Sequence, residues 1–376
     1  MASTAAPSSI FEQLGATSVI NARGNNTVLG GSTPSARVRQ AMQDAERYYV
    51  DMQQLLERSG AAIAEMLGCE AAYVTPGAAA ALALGTAACM TGADLDKVAQ
   101  LPDTRGLDKH SVLIQTGHHY HYQRAVTVPG AKLVDVEPAG FDAALQQPNV
   151  AAVLFPAHLD GASGTLSLDE TIARAHARGV PVLVDAAGRV YPLELFRSYT
   201  KRGADLVAYG AKYIGALNAS GILCGRADLV AAARLHGFIG FETVAWEKSF
   251  GRPLKVDRQT IVAVVAALKE WLETDHVARL ASYECRLQAI ASEIQGAPGT
   301  RLSITKGDGP APRLLRIDID RQAARHDVAG LVEALWTGTP SIAVGRAGDE
   351  AILINPVTLR EEDDGIVAAR LGVLLL

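Results

Sequence analysis

The sequence predicts an α/β protein in which a large domain, built on a mostly parallel seven-stranded sheet covered by helices, is joined to a smaller α+β domain. Short apolar β-branched runs alternate with longer helical patterns through the first two thirds of the chain, as crossover helices between parallel strands require. Several of those runs are apolar without alternation, which is how strands buried on both faces read. After Gly251 the pattern changes to a long helical run followed by strands and helices separated by turns. A chain of 376 residues also exceeds the size of one compact core. The large domain is expected at 45–250 and the small one at 1–44 together with 251–376.

The strands expected in the large domain are 71–75 (AAYVT), 111–116 (SVLIQT), 131–136 (AKLVDV), 150–156 (VAAVLFP), 180–186 (VPVLVDA), 205–210 (DLVAYG) and 221–225 (GILCG). Helical patterns lie between them, at 52–67 and at 168–179. In the second of these, Asp169 and Glu170 occupy the first turn, where the helix dipole favours acids. In the last third, one helix-like run, RQTIVAVVAALKEWLETDHVARLASYECRLQAIASEI, precedes QGAPGT. The strand-like RLSITKG and RLLRIDID, the helix-like DVAGLVEALWTG and the segment SIAVGRAGDEAILINPV follow.

Lys plus Arg number 35 against 40 Asp plus Glu, a net charge of -5, with no basic stripe, so no nucleic-acid partner is expected. The N-terminal MASTAAPSSIFEQLG lacks the basic and apolar regions of a signal peptide, and AAAALALGTAACM is too short for a membrane span. A cytoplasmic protein with no membrane partner is the expectation. Cys69, Cys89, Cys224 and Cys285 lie far apart in apolar contexts and read as buried, reduced thiols.

The chemistry centres on Lys212, set among Gly210, Ala211, Tyr213, Ile214 and Gly215 between two expected strands. A desolvated lysine has a lowered pKa, which frees its amine to attack a carbonyl. Asp185 ends VPVLVD at the carboxyl end of an expected parallel strand, where open α/β sheets place ligands. A lysine for an aldehyde and a carboxylate facing a ring nitrogen are what pyridoxal 5'-phosphate requires. In AAYVTPGAAAALALG, a strand, the turn Pro76-Gly77 and an Ala-rich helix follow one another, leaving unpaired N–H groups that suit a phosphate. The segment QTGHHYHYQRAV holds three histidines in four positions, but no further cluster follows at ligand spacing, so no metal is expected. His118 is the ring expected to lie on the aromatic cofactor, with His119 beside it turned to substrate or packed locally.

The order of these elements resembles the fold-type I pyridoxal-phosphate enzymes, the aspartate-aminotransferase superfamily. More narrowly, it is similar to the group of bacterial selenocysteine synthase and D-glucosaminate-6-phosphate ammonia-lyase. The stretches that carry the likeness are 19–32, 49–92, 112–136, 184–192 (VDAAGRVYP), 205–229 (DLVAYGAKYIGALNASGILCGRADL), 251–271 and 352–359 (ILINPVTL). The resemblance implies the PLP-transferase fold, Lys212 as the Schiff-base lysine and Asp185 as the partner of the ring nitrogen. It further implies Gly77, Ala78 and Ala79 as the phosphate cradle, His118 as the ring stacked on the cofactor, and a homodimer or higher homo-oligomer. Asn21, Arg23 and residues near Gly30 would then face the site of either subunit. Relatives often carry a hydroxyl residue three before the lysine and a GGPQ-like segment after it; here Tyr209 and GALN (215–218) stand there.

The reaction implied is a lyase reaction, elimination or deamination of a small polar amino acid or amino sugar acid. Retro-aldol cleavage, racemisation and transamination use the same residues and stay open. So does a non-catalytic binding or regulatory homologue on the same scaffold. A substrate carboxylate calls for an arginine fork, and Arg23 and Arg346 are the candidates. Arg189 follows Asp185 closely in sequence. No GxGxxG turn follows a strand, which excludes a nicotinamide dehydrogenase.

Overall fold

The computed structural model describes residues 9–240, 249–307 and 309–376. Residues 1–8, the start of the N-terminal stretch read above, lie outside these. The chain divides into two units, Ser32–Glu273 and Met1–Gly31 with Thr274–Leu376. In chain order, β1 (Val19–Ala22) belongs to the smaller unit. The larger contains β2 (Ala71–Thr75), β3 (Ser111–Gln115), β4 (Lys132–Val136), β5 (Val150–Pro156), β6 (Val182–Asp185), β7 (Leu206–Gly210) and β8 (Gly221–Gly225). Its longer helices are α1 (Ala36–Glu46), α2 (Met52–Leu67), α3 (Ala78–Thr91), α4 (Leu168–His176), α5 (Ala227–Leu235) and α6 (Arg258–Glu273).

The seven strands form one sheet in the order β2-β8-β7-β6-β5-β3-β4. The pairs from β4 to β7 are parallel, and β8 runs antiparallel to both β7 and β2. Each residue of β3, β5, β6, β7 and β8 is buried, which explains why these strands read as apolar runs without alternation. Helix α3 is buried from Ala80 to Thr91, and small residues let it lie against the sheet. A Cβ at Gly85 would sit 3.2–3.4 Å from Leu206, Leu183 and Leu223. Helix α2 is capped by Asp51, which accepts from the N–H groups of Gln53 and Gln54, and ends at Gly68 with φ +70°. Its buried stripe, Leu56, Ser59, Gly60, Ile63, Ala64 and Leu67, follows the helical period. Ser167 and Glu170 form a capping box at the start of α4.

The unit boundaries fall at 31/32 and 273/274, whereas the sequence pattern placed them at 44/45 and 250/251. The reason is packing: α6 lies against α1 and α2, so both flanking segments belong with the large sheet. Helical periodicity reveals an apolar face but not which core covers it. The single helix-like run after Arg258 is two helices, because Asp275 accepts from the N–H groups of Val277 and Ala278 and caps a new one.

The smaller unit holds α7 (His276–Glu293), β9 (Thr300–Lys306), β10 (Arg313–Ile319), α8 (Val328–Trp336), β11 (Ser341–Ala347), β12 (Ala351–Ile354) and α9 (Asp363–Leu375). Its sheet order is β1-β11-β12-β10-β9, with β1 parallel to β11 and the other neighbours antiparallel. Leu287, Ile290, Leu315, Ile317, Leu331, Ile342, Ile352 and Leu371 form its core. All four cysteines are free thiols. Cys285 is exposed, contrary to expectation, because the buried face of α7 is carried by Leu287 and Ile290. Among the described residues no helix is long and apolar enough to cross a membrane.

Candidate active site

Strands β2, β3, β5, β6 and β7 run in one direction, so their carboxyl ends share one edge of the sheet, and β8 begins there. Open α/β sheets hold ligands at this edge. The strand order lays the start of α3, then Gly221, Lys212, Asp185 and the segment after β3 along it in sequence.

Asp185 ends β6 and is 6% exposed. Its Oδ2 accepts a hydrogen bond from Tyr120 Oη at 2.6 Å, and its Oδ1 accepts one from the Ala187 N–H at 3.1 Å. Burial pushes its carboxyl above the usual range, while the bonds from Tyr120 and Ala187 and the nearby His158 pull the other way. Lys212 lies just beyond the adjacent strand, where Ala208 of β7 pairs with Asp185. It sits in a short turn, Ala211–Ile214, closed by Gly215 at φ +90°. The Ala211 N–H donates to the Ser220 carbonyl at 3.0 Å and the Gly210 N–H to the Ala187 carbonyl at 2.9 Å, which ties the turn to both neighbours. The Lys212 ammonium is 5.2 Å from the centre of the Tyr213 ring. Desolvation lowers its pKa, so the neutral amine is more accessible than on a free lysine.

Helix α3 starts at Ala78 after Gly77, whose φ of +136° is costly for any other residue, and no side chain caps it. Gly77 and Ala78 are half-buried and Ala79 is exposed, whereas the rest of the helix is buried. Gly221 brings β8 against this turn, pairing with Thr75 on one side and Gly210 on the other. A Cβ at Gly221 would lie 2.5 Å from the Gly77 carbonyl carbon.

In the segment after β3, the turn Thr116–His118 leaves His118 buried while Tyr120 is directed to Asp185. His118, the ring expected to lie on a cofactor, is fully buried and packs edge-on against Phe155, with ring centres 4.8 Å apart. Its Nδ1 is 3.4 Å from Gln115 Nε2, and its Nε2 has no hydrogen-bond partner of good geometry. Burial lowers its pKa, opposed by Asp160 and the Leu159 backbone. Tyr120 is the ring of this segment that hydrogen-bonds Asp185. His119 is exposed and held between Gln123 Oε1 at 2.9 Å and Asp135 at 3.2 Å.

Tyr209 is buried in β7 and its hydroxyl donates to the Phe196 carbonyl at 2.7 Å. It is buried against Phe196 and Tyr199, so its side chain serves packing. In the smaller unit, the Asn21 side chain donates to the Gly24 carbonyl and accepts from the Arg23 N–H, closing a local turn. Arg23 is exposed, and Arg346 pairs with Asp349 at 2.6 Å. Sequence reasoning overlooked Tyr120, His158 and Gly221. The first carries a hydroxyl suited to a buried carboxylate, but the helical turn Thr116–His118 hides from the sequence which ring of the segment reaches it.

The fold and this edge define a fold-type I pyridoxal-phosphate enzyme architecture. No family model matches the chain. It is 33% identical to 5'-C-glycyluridine monooxygenase-decarboxylase from Streptomyces sp., over 97% of this chain and 92% of that one. It is 27% identical to D-glucosaminate-6-phosphate ammonia lyase from Salmonella typhimurium, over 96% of each. L-seryl-tRNA(Sec) selenium transferase from Moorella thermoacetica matches at 24% identity, over 91% of this chain and 78% of that one. A solved structure of D-glucosaminate-6-phosphate ammonia-lyase superimposes with a TM-score of 0.84 at 26% identity, covering 99% of both chains. The chain belongs to this family of pyridoxal-phosphate enzymes, which includes the ammonia-lyase and the glycyluridine enzyme.

Proposed function

We propose that the protein is a pyridoxal-phosphate-dependent lyase that eliminates from, or deaminates, a polar amino acid carried on a sugar-derived chain. The observation that carries this reading is the pairing of Lys212, with its desolvated amine, with the buried Asp185 on neighbouring strand ends. The residues fit the cofactor. The uncapped start of α3 at Gly77, Ala78 and Ala79 offers backbone N–H groups to a phosphate, and Asp185 offers a carboxylate to a ring nitrogen.

When bound, the cofactor supplies an aldehyde for the lysine and a ring that accepts electrons from the bond broken at the substrate's Cα. Lys212 would hold it covalently, and its amine would take and return a proton at the substrate's Cα. Its lowered pKa favours the neutral amine this role needs. Asp185, kept from water, would hold the proton of the ring nitrogen in place. Tyr213 lies beside the lysine and narrows the region around it. Arg23 and Arg346 remain the proposed partners of a substrate carboxylate, and assembly as a homo-oligomer in the cytoplasm accompanies the proposal.

The substrate class is supported by two relatives named for a glucosaminate phosphate and a glycyl nucleoside, each an amino acid with a sugar-derived chain. A second reading, oxidative decarboxylation at the same carbon, is favoured by the higher identity of the glycyluridine enzyme, 33% against 27%. One experiment tests both. Purified protein with added pyridoxal phosphate should show a visible absorption band that Lys212→Ala abolishes. Amino sugar acids and hydroxy-amino acids should then release ammonia and keto acid. Carbon dioxide release with oxygen uptake would move the assignment to the second reading. A protein that ignores the cofactor refutes both.

A further inference from the structure

We propose that Tyr120 is a positioning residue that orients the Asp185 carboxylate toward the cofactor's ring nitrogen through its hydroxyl hydrogen bond. This rests on the pyridoxal-phosphate reading of the site. An ionised carboxylate has about four lone-pair positions on two oxygens. Tyr120 Oη takes one on Oδ2 at 2.6 Å, the short distance of a bond to a charged acceptor, and the Ala187 N–H takes one on Oδ1 at 3.1 Å. Each oxygen keeps a position for a further donor. The terminal torsion of an aspartate is broad, so two donors on different oxygens are what fix the carboxylate plane.

Asp185 is 6% exposed, which leaves little room for water to take over either bond. Without the phenol, a buried charge would keep the Ala187 N–H and the fields of its neighbours. The groups that face it are Tyr120 from the segment after β3, His158 from the turn after β5, and Tyr213 from the turn after β7. Burial and the carboxylate itself hold the Tyr120 phenol protonated far above neutral pH, so it is a donor throughout the working range. Tyr120 is in turn fixed, its N–H donating to Gln123 Oε1 at 3.0 Å and its ring lying edge-on to His158 with centres 5.2 Å apart.

The test compares wild type with Tyr120→Phe, which keeps the ring, and with Tyr122→Phe, whose ring is 70% exposed, as the control. Pyridoxal phosphate affinity is measured by equilibrium dialysis from about pH 6 to pH 9, with apoprotein melts alongside. Loss of the donor makes the buried carboxyl easier to protonate. Tyr120→Phe is therefore expected to bind about tenfold more weakly near pH 6, with the gap narrowing as pH rises. Tyr122→Phe should match wild type. In an Asp185→Asn background the same substitution should add nothing, which holds whether or not the ring change also lowers the melt. Wild-type affinity at every pH, or a loss equal at every pH, overturns the proposal. Failure of wild type to bind the cofactor refutes the underlying reading instead.

Discussion

The tightest geometric constraint at the site is the approach of β8 to the turn before α3, and Gly221→Ala perturbs it with one methyl group. The added Cβ would stand 2.5 Å from the Gly77 carbonyl carbon and 2.8 Å from the Ala78 nitrogen. Both are backbone atoms that cannot rotate away. Restoring ordinary contact near 3.4 Å requires the turn to retreat by about 1 Å. Overpacking of this size costs about 1–3 kcal/mol. In a unit the size of Ser32–Glu273, that lowers the melting temperature by about 2–10 °C. Because Gly221 also pairs with Gly210, two residues before Lys212, the shift reaches both the N–H groups at the start of α3 and the lysine turn. Cofactor affinity should fall by about tenfold or more, since a displacement near 1 Å is severe for oriented contacts. Thermal melts of the apoprotein and a pyridoxal-phosphate titration read the two effects. Gly365→Ala is the control, because its added Cβ meets nothing within 4 Å beyond its own helix backbone and chain neighbours. If Gly221→Ala melts and binds as wild type does, the close approach does not constrain the turn.

Tyr209→Phe should lose about 1 kcal/mol in urea denaturation, because the Phe196 carbonyl is left without its donor, and should bind pyridoxal phosphate unchanged; weakened binding would return Tyr209 to the cofactor site. His236 is buried against Thr91, its Nε2 2.8 Å from the hydroxyl, and desolvation pushes its pKa from 6.5 to about 4. Between those values the unfolded chain binds the proton and the folded one does not, so stability falls as pH drops from 6.5 toward 4, by up to about 3 kcal/mol. His236→Gln should lose less over that window, and equal pH slopes for the two proteins would refute the assignment.

Much of the fold can be read from the sequence because its signals are local. Strands β2, β5 and β8 coincide with the expected runs at 71–75, 150–156 and 221–225. The turn at Gly77 was legible from Pro-Gly before an Ala-rich run, and the structure gives it φ +136°. The unit boundaries were not, since α1 and α6 carry apolar faces that fit either core, and only their packing on each other and on α2 decides. Cys285 illustrates the same limit, lying in an apolar run yet off the buried stripe of α7.

Lys212 and Asp185 come to one edge for a different reason. Each stands at or just past the carboxyl end of a strand, and in a parallel sheet every such end lies on one edge. Linear position therefore becomes spatial proximity without any knowledge of side-chain direction. The segment after β3 lacks that protection. It leaves the sheet through a short turn, Thr116–His118, and continues extended through His119, so which ring reaches the carboxylate depends on a rotation that residue type does not encode. An imidazole and a phenol are equally plausible neighbours of an aspartate in sequence. What separates them is that His118 packs against Phe155 and Gln115 of the strands, while Tyr120 hydrogen-bonds Asp185 at the sheet's edge. Where a strand ends in a charged residue, the sequence locates the site. Where it ends in a run of rings, only the packing identifies the one that faces it.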